Sequence, residues 1–410
     1  MQEHTRRIEP ARALEGNARG LNIRHNACSR ARAVHSAVYH DRARARGIVK
    51  RYRAAVIGCG RAGGFIDNEI PPRSYWPAPN SQGAGFYECE RTDLVACSDF
   101  REDLMEAFGK LYAVPKEGQY TDYREMIARE NLDIVSVATH VEHHADIVIH
   151  AAEQGVRAIF CEKGMAASLA EANAMAAACE RNGVVFNMGA QRRYHPGFWQ
   201  MRKIIEGGEL GALQSLVMTY AGGLFDHGCH TMDLALYING NTPAVWVQGN
   251  APQSEPLRDG DVYSDDPGGD GVVLFENGVT LYLLHTNRYE YQAICERGMV
   301  GTFNDTQDWV MRKGEARNLH PVEFPNFQYQ STTINAIADL AEALDTGGPP
   351  LGGVESARHG VEIMVAILES HLQGGKRIEM PLEESNLRMH RVDRDPWEKG
   401  ARWREPKLRR

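Results

Sequence analysis

The chain has 410 residues, 43% of them hydrophobic and 24% charged, which is material for two globular domains at ordinary domain sizes. A net charge of -8 argues against nucleic acid as the main partner, and no apolar run approaches the ~20 residues needed to span a bilayer, so no membrane partner is expected. The eight cysteines are scattered without a Cys-x-x-Cys pair, which signals neither a zinc site nor a disulfide framework, and a reducing cytoplasm is the expected setting.

Residues 1–50 differ in kind. They are rich in arginine, poor in aromatics and without a sustained apolar period, and are expected to form a disordered basic arm. The pair Arg6-Arg7 has the look of a twin-arginine export signal, but no apolar region of about 7 to 15 residues follows it. An organellar transit peptide, or a segment without function, stays open.

From residue 52 the pattern alternates. Short apolar runs predict strands over 53–57, 93–98, 133–139, 156–162 and 184–188, and helical spacing predicts helices over 101–110, 142–154 and 168–181. Ser168 and Glu171 form a capping box at the start of the last. Such alternation predicts a doubly wound parallel sheet of the Rossmann type over residues 51–189. After residue 190, helical segments at 196–206, 227–238, 332–344 and 354–373 mix with two-period runs at 213–220, 245–249, 271–275 and 279–285. Glu276-Asn277-Gly278 is a hairpin signal between the last two runs. Residues 190–385 are therefore expected to form a second α/β domain with a large, mostly antiparallel open sheet. A charged tail over 386–410 closes the chain.

Gly58-Cys59-Gly60-Arg61-Ala62-Gly63 lies between a predicted strand and a predicted helix start, the context of a dinucleotide-binding turn. The first glycine makes the turn, the second admits a pyrophosphate, and the third lets helix and strand pack. Asp99 ends the second strand, delayed by an insertion over about 70–91 that contains Pro71-Pro72-Arg73-Ser74-Tyr75-Trp76-Pro77. Its carboxylate suits a ribose diol and repels a 2′-phosphate, which favours NAD over NADP, although Arg101 nearby could pair with such a phosphate. The insertion either flanks the cleft or is a surface loop.

Lys163, in Phe160-Cys161-Glu162-Lys163-Gly164-Met165, sits at the carboxyl end of a predicted parallel strand, where ligands bind in open α/β sheets. An amine there can hold a hydroxyl or polarise a carbonyl, and a solvated surface lysine is the plainer reading. Further on, Asp226 and His230 stand four apart, on one face if a helix begins at or before Asp226. A carboxylate that orients an imidazole is a general-base unit. Two other readings stay open. One is a helix cap with a core histidine. The other is a metal site of Asp226, His227 and His230, for which the further ligands zinc usually needs are not apparent, so no metal is expected.

Taken together, Gly58 to Gly63, Ala138-Thr139 with His144, Glu162-Lys163, Gly189-Ala190-Gln191-Arg192-Arg193-Tyr194 and the Asp226/His230 pair resemble the Gfo/Idh/MocA family of NAD(P)-dependent oxidoreductases over residues 52 to about 382. The resemblance implies a Rossmann domain followed by an α/β domain whose open sheet forms oligomer contacts, as a homodimer or homotetramer. It implies catalytic Lys163, Asp226 and His230. A cofactor cleft of Gly58, Gly60, Arg61, Ala62, Gly63, Asp99, Thr139, His144, Glu162 and Lys163 is expected. Arg193 and Tyr194, with Asp226 and His230, and less directly Trp199 and His285, are candidates for the substrate pocket. Gly164 and His140 stand where the family has proline, which loosens two loops beside the lysine.

The expected function is an NAD-dependent dehydrogenase for a secondary alcohol of a sugar, sugar derivative or polyol. His230 would take the hydroxyl proton, Asp226 would orient His230, and Lys163 would anchor the oxygen. Two alternatives are a redox-neutral glycosidase or lyase that oxidises its substrate transiently with a retained NAD, and a non-catalytic NAD-binding regulator.

Overall fold

The structure is a computed structural model and describes residues 50–390, apart from Pro72 and Ala316. The basic arm expected over 1–50 lies outside the described residues except for Lys50, as does the chain from 391 onward. Six parallel strands form the first sheet: β1 Tyr52–Ile57, β2 Thr92–Ser98, β3 Gln119–Tyr120, β4 Ile134–Val137, β5 Ala158–Cys161 and β6 Val185–Met188. Their order is β3-β2-β1-β4-β5-β6, the doubly wound order whose switch point lies between β1 and β4. The sequence expectation holds because β1, β4 and β5 are buried almost throughout, as strands covered on both faces must be.

The helices are α1 Gln82–Glu88, α2 Glu102–Tyr112, α3 Tyr123–Glu130, α4 His144–Glu153, α5 Leu169–Asn182, α6 Pro196–Glu206, α7 Cys229–Ile238, α8 Thr332–Thr346 and α9 Val354–Leu372. The expected cap of α5 is present: Glu171 N donates to Ser168 Oγ at 3.2 Å, and Glu171 Oε2 accepts from Ala167 N at 3.0 Å. α1 falls inside the stretch taken from the sequence as an insertion. A wide turn at Arg61–Phe65 and a short 3-10 turn at Ile66–Asn68 precede it. The first crossover helix is thus split by a loop rather than followed by one. Asp67 closes the base of that loop by accepting from Asn80 N at 2.8 Å and Ser81 N at 2.9 Å.

The second sheet has nine strands: β7 Leu213–Tyr220, β8 Ala244–Asn250, β11 Asp270–Phe275, β12 Thr280–His285, β13 Tyr291–Cys295, β14 Gly298–Phe303, β15 Asp308–Glu315, β16 Asn318–Val322 and β17 Ile378–Glu379. β7 and β12 pair in parallel and the other neighbours are antiparallel, in the order β16-β15-β14-β13-β7-β12-β11-β8-β17. The hairpin at Asn277-Gly278 is present, with Gly278 at φ +82°. One face is covered by α9, close enough that a Cβ on Gly249 or Gly271 would meet Ile367 at 2.4 and 2.6 Å. The other face shows Tyr282, Leu284 and Ile294 to solvent.

Two expected boundaries shift. α8, assigned by sequence to the second domain, buries Ala336, Ile337 and Leu340 in the core of the first sheet. Tyr52 Oη also donates to Asp345 at its far end, at 2.5 Å. The tail expected from residue 386 begins instead with β18 Arg388–Met389, which pairs with β10 Val262–Tyr263, itself paired with β9 Arg258–Asp259.

Candidate active site

The glycine turn is shaped by its neighbours at two positions and by none at the third. Gly58 has φ +93°, and a Cβ there would come within 2.8 Å of the Ala138 carbonyl, while one on Gly63 would meet Gly58 O at 1.8 Å. A Cβ on Gly60 would meet nothing within 4 Å. Gly60 thus leaves open space at the turn, and its backbone (φ -77°, ψ -145°) lies outside the usual α and β regions, so the turn fits the pyrophosphate of a dinucleotide. At the end of β2, Asp99 accepts from Cys59 N at 2.7 Å and Arg101 N at 2.9 Å, which ties the carboxylate to the turn. Burial holds Asp99 above the usual carboxylate range. Arg101 is committed to Asp103, at 2.6 Å, and Arg61 to Glu69, at 2.6 Å.

β5 delivers Glu162 and Lys163 to the same edge of the sheet. Glu162 accepts from Gln82 Nε2 at 2.7 Å, and Gln82 accepts in turn from Ser136. Lys163 Nζ donates to the Asp226 carboxylate and, at 3.0 Å, to the Asp226 main-chain carbonyl. Burial pulls its proton affinity down, but Asp226 and Glu162 outweigh that, and Lys163 is held above the usual lysine range as an ammonium. It is a donor in this site rather than a base.

Gly164 replaces the family proline without freeing the lysine. The Lys163–Gly164 peptide is cis, and a Cβ on Gly164 would lie 2.9 Å from Phe225 O. The buried His144 ring pins the loop from the other side: Nδ1 lies 3.0 Å from Gly164 O and 3.3 Å from Met165 O, and Nε2 lies 3.1 Å from Thr139 O. His144, expected beside the cofactor, thus sits between two main-chain loops; burial keeps the ring neutral, so its single N–H donates to the carbonyl of one loop while its other nitrogen only packs against the other. His140 is exposed on the loop of Thr139.

The expected pairing of Asp226 with His230 is corrected. The helix does not start as an α-helix: Leu224–Gly228 is a wide turn, with Gly228 N donating to Gly223 O at 2.9 Å, and α7 follows it. A five-residue turn rotates the register, so four residues no longer mark one face. Asp226 turns to Lys163 and has His227 Nε2 at 3.5 Å, while His230 Nδ1 is buried without a hydrogen-bond partner. Burial first, then the positive charges of Arg192 and Lys163, keep His230 well below the usual histidine range and therefore neutral. His227 Nδ1 sits 2.6 Å from Tyr289 Oη.

Two further expectations are corrected by burial. Arg193 is fully buried and forks onto Asp233 at 2.7 to 3.1 Å, with Asn241, Leu351 O and Ser356 taking its other donors. Tyr194 is equally buried and donates to Asp339 at 3.2 Å. Both brace the junction between the sheets rather than line a pocket. Trp199 donates to Arg193 O at 2.8 Å and belongs to the same brace. His285 lies at the end of β12 against Gly268, where a Cβ would come within 2.2 Å of its ring.

The motif residue whose charge reaches His230 is Arg192. Its guanidinium lies over the Tyr289 ring at 4.7 Å and the Trp76 ring at 5.9 Å, has Asp305 at 3.4 Å, and leaves Nε buried without a partner. Trp76 also stacks on His195 at 5.3 Å, a ring that itself packs on Phe198 and Trp309, so this part of the insertion is packed on an aromatic cluster instead of standing off as a surface loop. Asp266 was not visible in the sequence beyond a turn-rich acidic run, Asp265-Asp266-Pro267-Gly268-Gly269-Asp270. It accepts from Phe225 N at 2.9 Å and Asp226 N at 2.6 Å, and burial pushes its carboxyl up to about 6. Among the described residues, no group of three or more His, Cys, Asp or Glu side chains could hold a metal, and no helix is long and apolar enough to cross a membrane.

A doubly wound sheet with a glycine turn after its first strand, and a lysine at the carboxyl end of β5, define a Rossmann-type nucleotide-binding fold. Residues 52–190 match the model of the oxidoreductase family with an NAD-binding Rossmann fold. The oxidoreductase YrbE of Bacillus subtilis is 32% identical over 286 residues, 62% of this chain and 79% of that one. The chain belongs to the Gfo/Idh/MocA family. Myo-inositol 2-dehydrogenase of Thermotoga maritima is 29% identical, over 63% of this chain and 82% of that one. D-apiose dehydrogenase of Paraburkholderia graminis is also 29% identical, over 47% of this chain and only about half, 51%, of its own length. The aldose-aldose oxidoreductase of Caulobacter crescentus, solved with glycerol, shares the fold at a TM-score of 0.67 with 22% identity, over 81% of this chain and all of that one.

Proposed function

We propose that this protein is an NAD-dependent dehydrogenase acting on a secondary alcohol of a sugar, sugar derivative or polyol. The observation that carries the reading is an ammonium, Lys163, held by Asp226 at the end of β5, whose charge helps keep the buried His230 neutral, in a chain whose glycine turn leaves open space at Gly60. The names of the relatives, D-apiose and myo-inositol dehydrogenases, support the substrate class.

When bound, NAD would supply the hydride acceptor at its nicotinamide. Gly60 would admit the pyrophosphate and Asp99 would accept from the ribose hydroxyls. The commitment of Arg101 to Asp103 supports NAD over NADP. Lys163 donates to the substrate oxygen and fixes it, and His230 takes the hydroxyl proton because it enters the reaction deprotonated. Asp226 orients Lys163, which replaces the orienting role toward His230 expected from the sequence. The exposed apolar face of the second sheet supports assembly as a homodimer or homotetramer, and the seven described cysteines, all free, support a reducing cytoplasm.

The reading is tested by following NADH at 340 nm with hexoses, sugar acids, inositols and glycosides. NADH formation with at least one of them is expected. Products from glycosides without net NADH would point to the redox-neutral route instead, and NAD binding without turnover of any compound would point to a regulator.

A further inference from the structure

Resting on the dehydrogenase reading, we infer that Asp266 is a positioning residue that holds Asp226 against Lys163. Lys163 has two acceptors, and both belong to Asp226: its carboxylate and its main-chain carbonyl. The position of residue 226 therefore fixes the ammonium. That position is set by main-chain donors at the start of the wide turn. Leu224 N donates to Pro267 O at 2.8 Å, Phe225 N to Asp266 Oδ1 at 2.9 Å and Oδ2 at 3.1 Å, and Asp226 N to Asp266 Oδ2 at 2.6 Å. Three consecutive donors that a helix start leaves unpaired are satisfied by two consecutive residues of one loop.

The fit is close on both sides of the turn. A Cβ on Gly223 would lie 2.1 Å from Asp266 Oδ2, so the carboxylate reaches the turn only because residue 223 has no side chain. On the opposite side, Phe225 O faces Gly164 at the distance where a Cβ would be 2.9 Å away. Residues 225 and 226 are thus held between Asp266 and the Lys163-Gly164 peptide. Asp266 is also a poor choice for a cap serving stability alone. It is buried next to the like charge of Asp226, and that burial penalises its charged form. A neutral acceptor could satisfy the same donors without placing a second carboxylate there.

The test compares Asp266→Ala, Asp266→Asn and Gly223→Ala with the full-length wild type, on whichever alcohol the wild type oxidises, at a temperature well below the melting point of each variant. Asp266→Ala is expected to lower kcat at least tenfold with KM for the alcohol and the dissociation constant for NADH within twofold. Asp266→Asn, which keeps one acceptor oxygen, should recover part of that loss. Gly223→Ala, which displaces the carboxylate while leaving it present, should lose kcat as Asp266→Ala does. If both alanine variants keep wild-type kcat and only melt earlier, Asp266 is a helix cap and the inference is wrong. A wild type that reduces no NAD with any alcohol overturns the dehydrogenase reading instead, which NADH binding to the same preparation distinguishes from misfolding.

Discussion

Arg192 and Arg193 are chain neighbours whose guanidinium groups serve opposite ends. Arg193 is closed within a bidentate pair with Asp233, both side chains at most 2% exposed. Arg192 has one carboxylate at 3.4 Å and an unpartnered Nε. Breaking a buried pair from one side leaves an uncompensated charge, at a cost of about 3 to 5 kcal/mol. Arg193→Met is therefore expected to lose that much in denaturant unfolding, with part of it returned in the double variant with Asp233→Asn. Arg192→Met should unfold within about 1.5 kcal/mol of wild type but raise KM for the alcohol. An unchanged KM would remove Arg192 from the substrate site.

Lys163→Met should leave NADH binding intact and lower kcat by about a hundredfold or more, the usual loss when one donor to a developing oxyanion is removed. Initial rates at 340 nm, with a fluorescence titration of NADH on the same preparation, check both halves. Turnover at the wild-type rate would exclude Lys163 from the chemistry.

Gly60 and Gly63 separate binding from folding. A Cβ on Gly63 meets a main-chain oxygen at 1.8 Å, whereas one on Gly60 has open space. Gly63→Ala should lower the melting temperature. Gly60→Ala should lose less stability than Gly63→Ala, since only its backbone (φ -77°, ψ -145°) resists the change, yet bind NADH at least tenfold more weakly. A Gly60→Ala protein with unchanged affinity would place the pyrophosphate elsewhere.

His230 is the base only while deprotonated, and its proton affinity is lowered by burial, Arg192 and Lys163. Activity is thus present above the folded pKa and lost as pH falls through it, which puts the acid limb of kcat/KM below the ordinary histidine value of about 6.5. Arg192→Met removes one of the two named positive charges and should move that limb to higher pH. A limb that stays in place in Arg192→Met, or persists in His230→Asn, belongs to another group.

The sequence by itself determined the doubly wound sheet, the glycine turn with Asp99, and Lys163 at a strand end. Each of these follows from local rules: buried parallel strands are continuous apolar runs, and a turn that must pass a phosphate needs glycine where no neighbour demands it. The tertiary structure decided what those rules cannot reach. Helical spacing paired Asp226 with His230, but a five-residue turn rotated Asp226 onto Lys163, and that turn is held by Asp266, forty residues further along the chain. Arg193 and Tyr194 carried the sequence motif, yet burial made them braces, while Arg192 is the one whose charge reaches His230. Side chains adjacent in sequence point different ways. Which of them meets a ligand depends on desolvation and on partners brought in by distant segments, and neither is written in the local pattern.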